Sequence, residues 1–161
     1  MRLLAQIKLV LDSGYETEAQ WVSLPLTEQE IGSFSPAIIQ VLDLDGDIDI
    51  CYDDQTLSEI NDIADRINLQ EEKHGALIVQ AAFRSYDTSA ALAALENDDF
   101  QVLTDVWSHE TLGRAYVDAG YIDILEHLIH YIDTDSIGYD LCQSGEWIIY
   151  EIENIAISWN L

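Results

Sequence analysis

The sequence predicts an α+β fold from three observations. Apolar and acidic residues alternate with period two near the amino terminus, helix-capping patterns fill the middle, and the last third mixes both signals. This order suggests three pieces: an acidic β-rich sub-domain over residues 1–56, a helical one over 57–97 and a mixed α/β one over 98–161. A chain of 161 residues suffices for one ordinary domain or a few very small ones, and is too short for two standard domains with separate large cores. Apolar side chains make up 48% of it, with 20 isoleucines, 4 Trp and 8 Tyr, which is enough to build a core despite the charge.

Residues 37–53 (AIIQVLDLDGDIDICYD) alternate as strands with one wet face do, with Asp45-Gly46-Asp47 as the expected hairpin turn. That places Asp43, Asp45, Asp47 and Asp49 on one exposed side, with Asp53 and Asp54 just beyond. Thr27-Glu28-Gln29-Glu30 and Thr56-Leu57-Ser58-Glu59 both have capping-box spacing. The second opens a helix whose apolar positions are Leu57, Ile60, Ile63, Ala64 and Ile67, so Glu59, Asp62, Asp65 and Arg66 fall on its outer face. Residues 71–84 and 89–96 read as two further helices, the latter with Asp87 and Thr88 as cap candidates. Residues 100–107 read as a strand, Ser108 as the cap of a helix running towards Gly120, 122–131 and 135–141 as short helices, and 146–153 as a strand.

Charge is the most informative property. Asp and Glu number 31 against 6 Lys and Arg, a formal −25. Residues 9–65 hold 14 acids and residues 115–161 hold 9, without one Lys or Arg in either stretch. This excludes a basic nucleic-acid binder, which needs clustered cations to neutralise phosphates. Ordinary helices and strands mix signs, because each opposite-charge pair contributes a few tenths of a kcal/mol. Two long stretches forgo that contribution and accept like-charge repulsion, so the negative field itself is the expected working part.

The first ten residues carry Arg2, but Gln6 and Lys8 interrupt their apolar run, so no secretory signal is expected there. Cys51 and Cys142 stand far apart without metal or redox spacing, the pattern of reduced thiols, and a cytoplasmic protein is expected. Residues 43–54 (DLDGDIDICYDD) suggest a calcium loop but place Ile48 where the sharp turn needs Gly and Asp54 where a bidentate Glu belongs. His127 and His130, beside Glu126, lack the nearby thiolates of a structural zinc site. No nucleophile-elbow, P-loop or dinucleotide motif occurs, and no carboxylate pair is singled out among 31 acids. The expectation is a protein that is not an enzyme and uses no cofactor or metal.

The last third carries a resemblance. Ala115-Tyr116-Val117-Asp118, Gly120, His130-Tyr131-Ile132-Asp133, Ile137-Gly138-Tyr139-Asp140-Leu141 and Ser144-Gly145-Glu146-Trp147 together resemble the end of the ArdA antirestriction proteins of conjugative plasmids and transposons. Fainter likeness runs upstream through residues 21–26, 41–49 and 56–63. The chain departs from that family in lacking its amino-terminal Tyr-Asn-x-Gly pattern and in having Cys142-Gln143 where an Asp/Asn-Leu pair is commoner.

The resemblance implies an elongated, curved homodimer of three small α/β pieces per subunit. Its carboxylates would imitate DNA phosphates and occupy the DNA groove of type I restriction-modification enzymes, in particular their methyltransferase core. A duplex carries one charge per ~1.7 Å of axis, so the formal −50 of a dimer corresponds to roughly 85 Å of B-DNA. The expected partners are that enzyme and a second copy of the chain, with neither nucleic acid nor membrane.

The acids expected to face the enzyme are those of the strand and capped helix above, joined in the last third by Asp118, Asp123, Glu126, Asp133, Asp135, Asp140 and Glu146. Val102, Val106 and Trp107, in the least acidic strand, are the expected dimer contact, unless they pack inward as ordinary core. Two other readings compete: a mimic aimed at another DNA-binding protein, such as a nucleoid protein or a CRISPR effector, and an acidic interaction module that mimics nothing.

Overall fold

The computed structural model describes residues 1–35, 37–50 and 55–159, apart from the side chain of Glu126. The fold is α+β, with six α-helices and two three-stranded antiparallel sheets among the described residues. The chain divides into two compact units, Met1–Asn97 and Asp98–Leu161.

The first unit opens with β1 (Leu3–Val10), which lies between β2 (Gln20–Leu24) and β3 (Ile38–Gly46) and pairs antiparallel with both. Leu3, Ala5 and Ile7 alternate along β1 and are buried, while Leu4, Gln6 and Lys8 point to the other face. The register shifts by a bulge between the Gln6–Asp43 and Ile7–Val41 pairs, and the consecutive residues Leu42 and Asp43 are both exposed.

The expected hairpin at Asp45-Gly46-Asp47 does not form. The strand continues through Asp45, pairs Gly46 with Leu3, and partners the amino-terminal strand rather than its own continuation. Gly46 serves close approach: a Cβ there would stand 2.5 Å from the Arg2 carbonyl oxygen, and the next amide, of Asp47, donates to that oxygen at 3.0 Å. Ile48 and Ile50 then turn into the core.

α1 (Glu28–Ser33), α2 (Leu57–His74), α3 (Ala76–Ser85) and α4 (Thr88–Glu96) complete the unit. Both expected capping boxes are present, at Thr27/Glu30 and Thr56/Glu59, and Asp87 caps α4. Leu57, Ile60, Ala64 and Ile67 of α2 are buried, as the period of 3.6 requires. The break between the second and third helices falls at Gly75, not before Glu71. Gly75 has φ +86° and ψ 155°, a conformation that is essentially reserved for glycine, and α2 runs unbroken up to it. Buried Asn61 ties α2 to the segment after β2: its Oδ1 accepts from the Leu26 amide at 2.5 Å and its Nδ2 donates to the Leu26 carbonyl at 3.1 Å.

The second unit packs α5 (His109–Asp118) and α6 (Thr134–Gln143) on a sheet ordered β4 (Phe100–Thr104), β6 (Ile155–Trp159), β5 (Ile148–Tyr150). Its core holds Val106, Leu112, Leu141, Trp147 and Ala156. Ser108 caps α5 as expected. The strand expected over 100–107 stops at Thr104, because Asp105 takes φ +60° and the Val106 amide donates to the Asn154 carbonyl at 3.0 Å. The helix expected over 122–131 is a short 3₁₀ turn, Glu126–Tyr131. The strand expected over 146–153 shrinks to β5, since residues 151–154 turn and the chain returns as β6.

Candidate functional site

The candidate site is the acidic surface, and local structure fixes where its carboxylates stand. On the wet face of the first sheet Asp43 lies opposite Gln6 and Asp45 opposite Leu4. These acids recur every second residue, about 6.6 Å apart along the strand. The Arg2 guanidinium meets Asp45 at 2.8 Å and the Arg2 amide donates to Asp47 at 2.7 Å, anchoring this row to β1. Asp49 is exposed beyond it, and Glu59, Asp62 and Asp65 project from the outer face of α2. Asp53 and Asp54 lie outside the described residues, as does the Glu126 side chain.

In the second unit Asp118 ends α5, Asp123 follows it, Asp133 caps α6, Asp135 and Asp140 stand on α6, and Glu146 precedes the buried Trp147. Each of these is exposed. Every acid whose side chain is described is exposed, apart from half-buried Glu71 and Asp99. By sequence the first unit holds 18 acids and 5 Lys or Arg, a formal −13, and the second 13 acids and one Arg, a formal −12.

Several carboxylates are held ionised by the fold. Glu30 accepts from the Thr27 backbone amide and hydroxyl, and Glu59 accepts likewise from Thr56, which keeps both below the usual carboxylate range. Asp133 is lowered by the Ser136 amide at 3.1 Å and hydroxyl at 2.8 Å. Glu96 is lowered by a two-pronged hydrogen bond from Arg66, at 2.7 and 2.9 Å, which joins α2 to α4.

The few cations are largely spent inside this surface. Arg2 pairs with Asp45, Lys8 with Glu16, Arg66 with Glu96 and Arg114 with Glu110. The last turns of α1, α4, α5 and α6 contain no basic residue, and α5 ends on Asp118. An acid at a helix carboxy terminus opposes the macrodipole at a cost of about 0.3–1 kcal/mol. The charge is therefore retained against local stability.

The expected dimer residues separate. Val102 and Trp107 are exposed, at 37% and 52%, while Val106 is fully buried among Leu112, Leu141 and Trp147. Val106 therefore belongs to the core and offers nothing to a partner. Val102 and Trp107 line an open groove of about 470 Å³ together with Arg114, Ala115 and Asp118. Sequence reasoning passed over Arg114, although it is the only Lys or Arg in residues 98–161. It also missed the apolar surface of the 3₁₀ turn, where Leu125 is 64% and Tyr131 84% exposed.

Among the described residues no group of three or more His, Cys, Asp or Glu side chains is placed to hold a metal ion, and no helix is long and apolar enough to cross a membrane. His127 and His130 are both exposed. No family model and no curated protein matches the chain.

Proposed function

We propose that this protein is a DNA mimic that occupies the DNA-binding groove of a type I restriction-modification enzyme, acting through an array of carboxylates rather than a single site. The observation that carries the reading is the placement of the acids: outside the core in both units, nearly equal in number of net charges, and kept even at helix ends where they oppose local stability. A groove built for duplex is lined with Lys and Arg set for phosphates, and a carboxylate accepts the same charge-assisted hydrogen bonds. Carboxylates already fixed by a folded chain lose little further freedom on binding. The resemblance of residues 115–147 to the ArdA family gives the class of enzyme. On this reading the protein works in the cytoplasm, needs no cofactor and catalyses nothing.

The test is binding to a purified type I methyltransferase in competition with its duplex substrate. Affinity should fall roughly tenfold or more as salt rises from 50 to 200 mM, since both partners' charges are screened. Salt-independent affinity, or binding that leaves bound duplex undisturbed, defeats mimicry. Failure to bind this enzyme, with salt-sensitive competition at another DNA-binding protein, would redirect the mimic to that target.

A further inference from the structure

The wet face of the first sheet carries a large aromatic side chain beside its acids. In β2, Trp21 and Ser23 lie opposite Gln6 and Leu4 of β1, and these in turn lie opposite Asp43 and Asp45 of β3. Directly opposed residues on neighbouring strands share a face, so Trp21, Gln6 and Asp43 form one row across the sheet and Ser23, Leu4 and Asp45 form the next. Strands stand about 4.8 Å apart, which puts the backbones of Trp21 and Asp43 roughly 10 Å from each other. Trp21 is 46% exposed and lies outside the core, to which β2 contributes Leu24. By sequence it is the only Trp of the first unit. The nearest cations along β1, Arg2 and Lys8, are engaged by Asp45 and Glu16.

We propose that this face docks an arginine-bearing surface of a DNA-binding partner, and that Trp21 is the residue that selects arginine: one guanidinium stacks flat on the indole while its neighbours in the same groove bond to the carboxylate row of β3. The charge chooses the occupant. The carboxylates raise the local concentration of cations, and an exposed ring beside them offers those cations its negative face. Arginine suits the site better than lysine. A planar, weakly hydrated guanidinium stacks on a ring and keeps its edge N–H groups for carboxylates, whereas an ammonium holds its water more tightly. The backbone of a duplex presents only phosphate and sugar to such a groove. The indole therefore supplies a contact that the competing duplex backbone lacks.

This role of Trp21 rests on the mimic reading for its partner, and the two separate by salt. Each acid removed takes away an ion pair and lowers the steepness with which affinity falls as salt rises. Trp21 carries no charge. Its loss should weaken binding at every salt concentration and leave that steepness unchanged.

Two measurements test this. In competition with duplex at a purified type I methyltransferase, Trp21→Leu, which keeps apolar bulk without a ring, should bind roughly tenfold more weakly than wild type, with the same salt slope. Trp21→Phe, which keeps a ring, should recover most of that loss. Circular dichroism verifies that each variant is folded. The second measurement needs only the wild-type chain: oligoarginine and oligolysine of equal length are titrated against it while the indole N–H resonance of Trp21 is followed, identified as the signal missing from Trp21→Phe. Oligoarginine should move that resonance at a concentration several-fold lower than oligolysine.

Equal affinity of wild type and Trp21→Leu, with wild type still displacing duplex, overturns the role of Trp21 and spares the mimic. A Trp21→Leu loss with a flatter salt slope overturns it too, because it traces the loss to displaced acids. Wild type that displaces no duplex refutes the restriction-enzyme reading, and the peptide titration then decides Trp21 by itself. A resonance that neither peptide moves, or that both move alike, overturns the proposal.

Discussion

Gly113 of α5 and Gly138 of α6 meet at a helix crossing that has no room for a side chain. A Cβ on Gly113 would stand 1.9 Å from the Thr134 carbonyl oxygen, and one on Gly138 would stand 1.9 Å from that of His109. Each glycine thus admits the other helix's backbone, and the crossing sets how Leu112 and Leu141 enter the core.

Alanine at either glycine must push the helices apart. Gly113→Ala and Gly138→Ala should each lose about 3 kcal/mol or more of stability in urea unfolding, at or beyond the usual upper range for overpacking. Gly32 meets nothing within 4 Å in α1, and Gly32→Ala should be neutral or slightly stabilising. Equal effects at the three sites would refute the tight crossing.

Adjacent residues should behave oppositely in the second unit. Val106→Asp forces a carboxylate into an apolar core and should unfold that unit, seen as loss of near-ultraviolet dichroism around Trp147. Trp107→Asp, on the surface, should leave the same signal intact.

The caps predict a specific pH dependence. Thr56→Ala should cost about 1 kcal/mol. Thr56 donates to Glu59 and holds its pKa below the ordinary value, so the ionised form is the stabilising one. The contribution is complete above the unfolded pKa and is lost as pH falls through the depressed folded value. Glu59→Gln should therefore be less stable than wild type at pH 7 and match it in acid. Asp62→Asn, which only relieves repulsion, should stay within about 0.5 kcal/mol throughout. An Asp62→Asn loss larger than that of Glu59→Gln would contradict this account.

Enzyme binding should respond to the number of acids removed rather than to any one of them. Asp47→Asn keeps an oxygen for the Arg2 amide and should change affinity less than about threefold, whereas neutralising Asp43, Asp45, Asp47 and Asp49 together should weaken it roughly tenfold or more. Abolition by the single change would indicate a discrete site instead of an array.

What was legible in the sequence was local. Thr27, Thr56, Asp87 and Ser108 announce their helices because a cap bonds only two or three residues ahead, and the buried stripe of α2 follows from its period. The errors arose where distant chain decided. Gly46 looked like a turn residue, yet its purpose is contact with Arg2, more than forty positions away. Glu151-Ile152-Glu153 continued a strand-like alternation, yet Ile152 is 91% exposed in a turn that ends on Asn154 at φ +54°, and β6 lies beyond. The acidic surface was legible residue by residue because charge declares exposure. The inward turn of Val106 depended on a hydrogen bond to Asn154 that no local pattern reveals.

The separation of acids from core has a consequence for how such a chain can drift over generations. Among the described residues the buried side chains are apolar apart from Asn61 and Gln70, and no acid is buried with them, so the residues that define the fold and those that define the field are different sets. An acid can move one position along a strand face, or one turn along a helix, without asking any interior neighbour to change. Two descendants could then keep the same backbone and the same total field while sharing few acidic positions. Gly113 and Gly138, with no such freedom, would be among the last residues to vary.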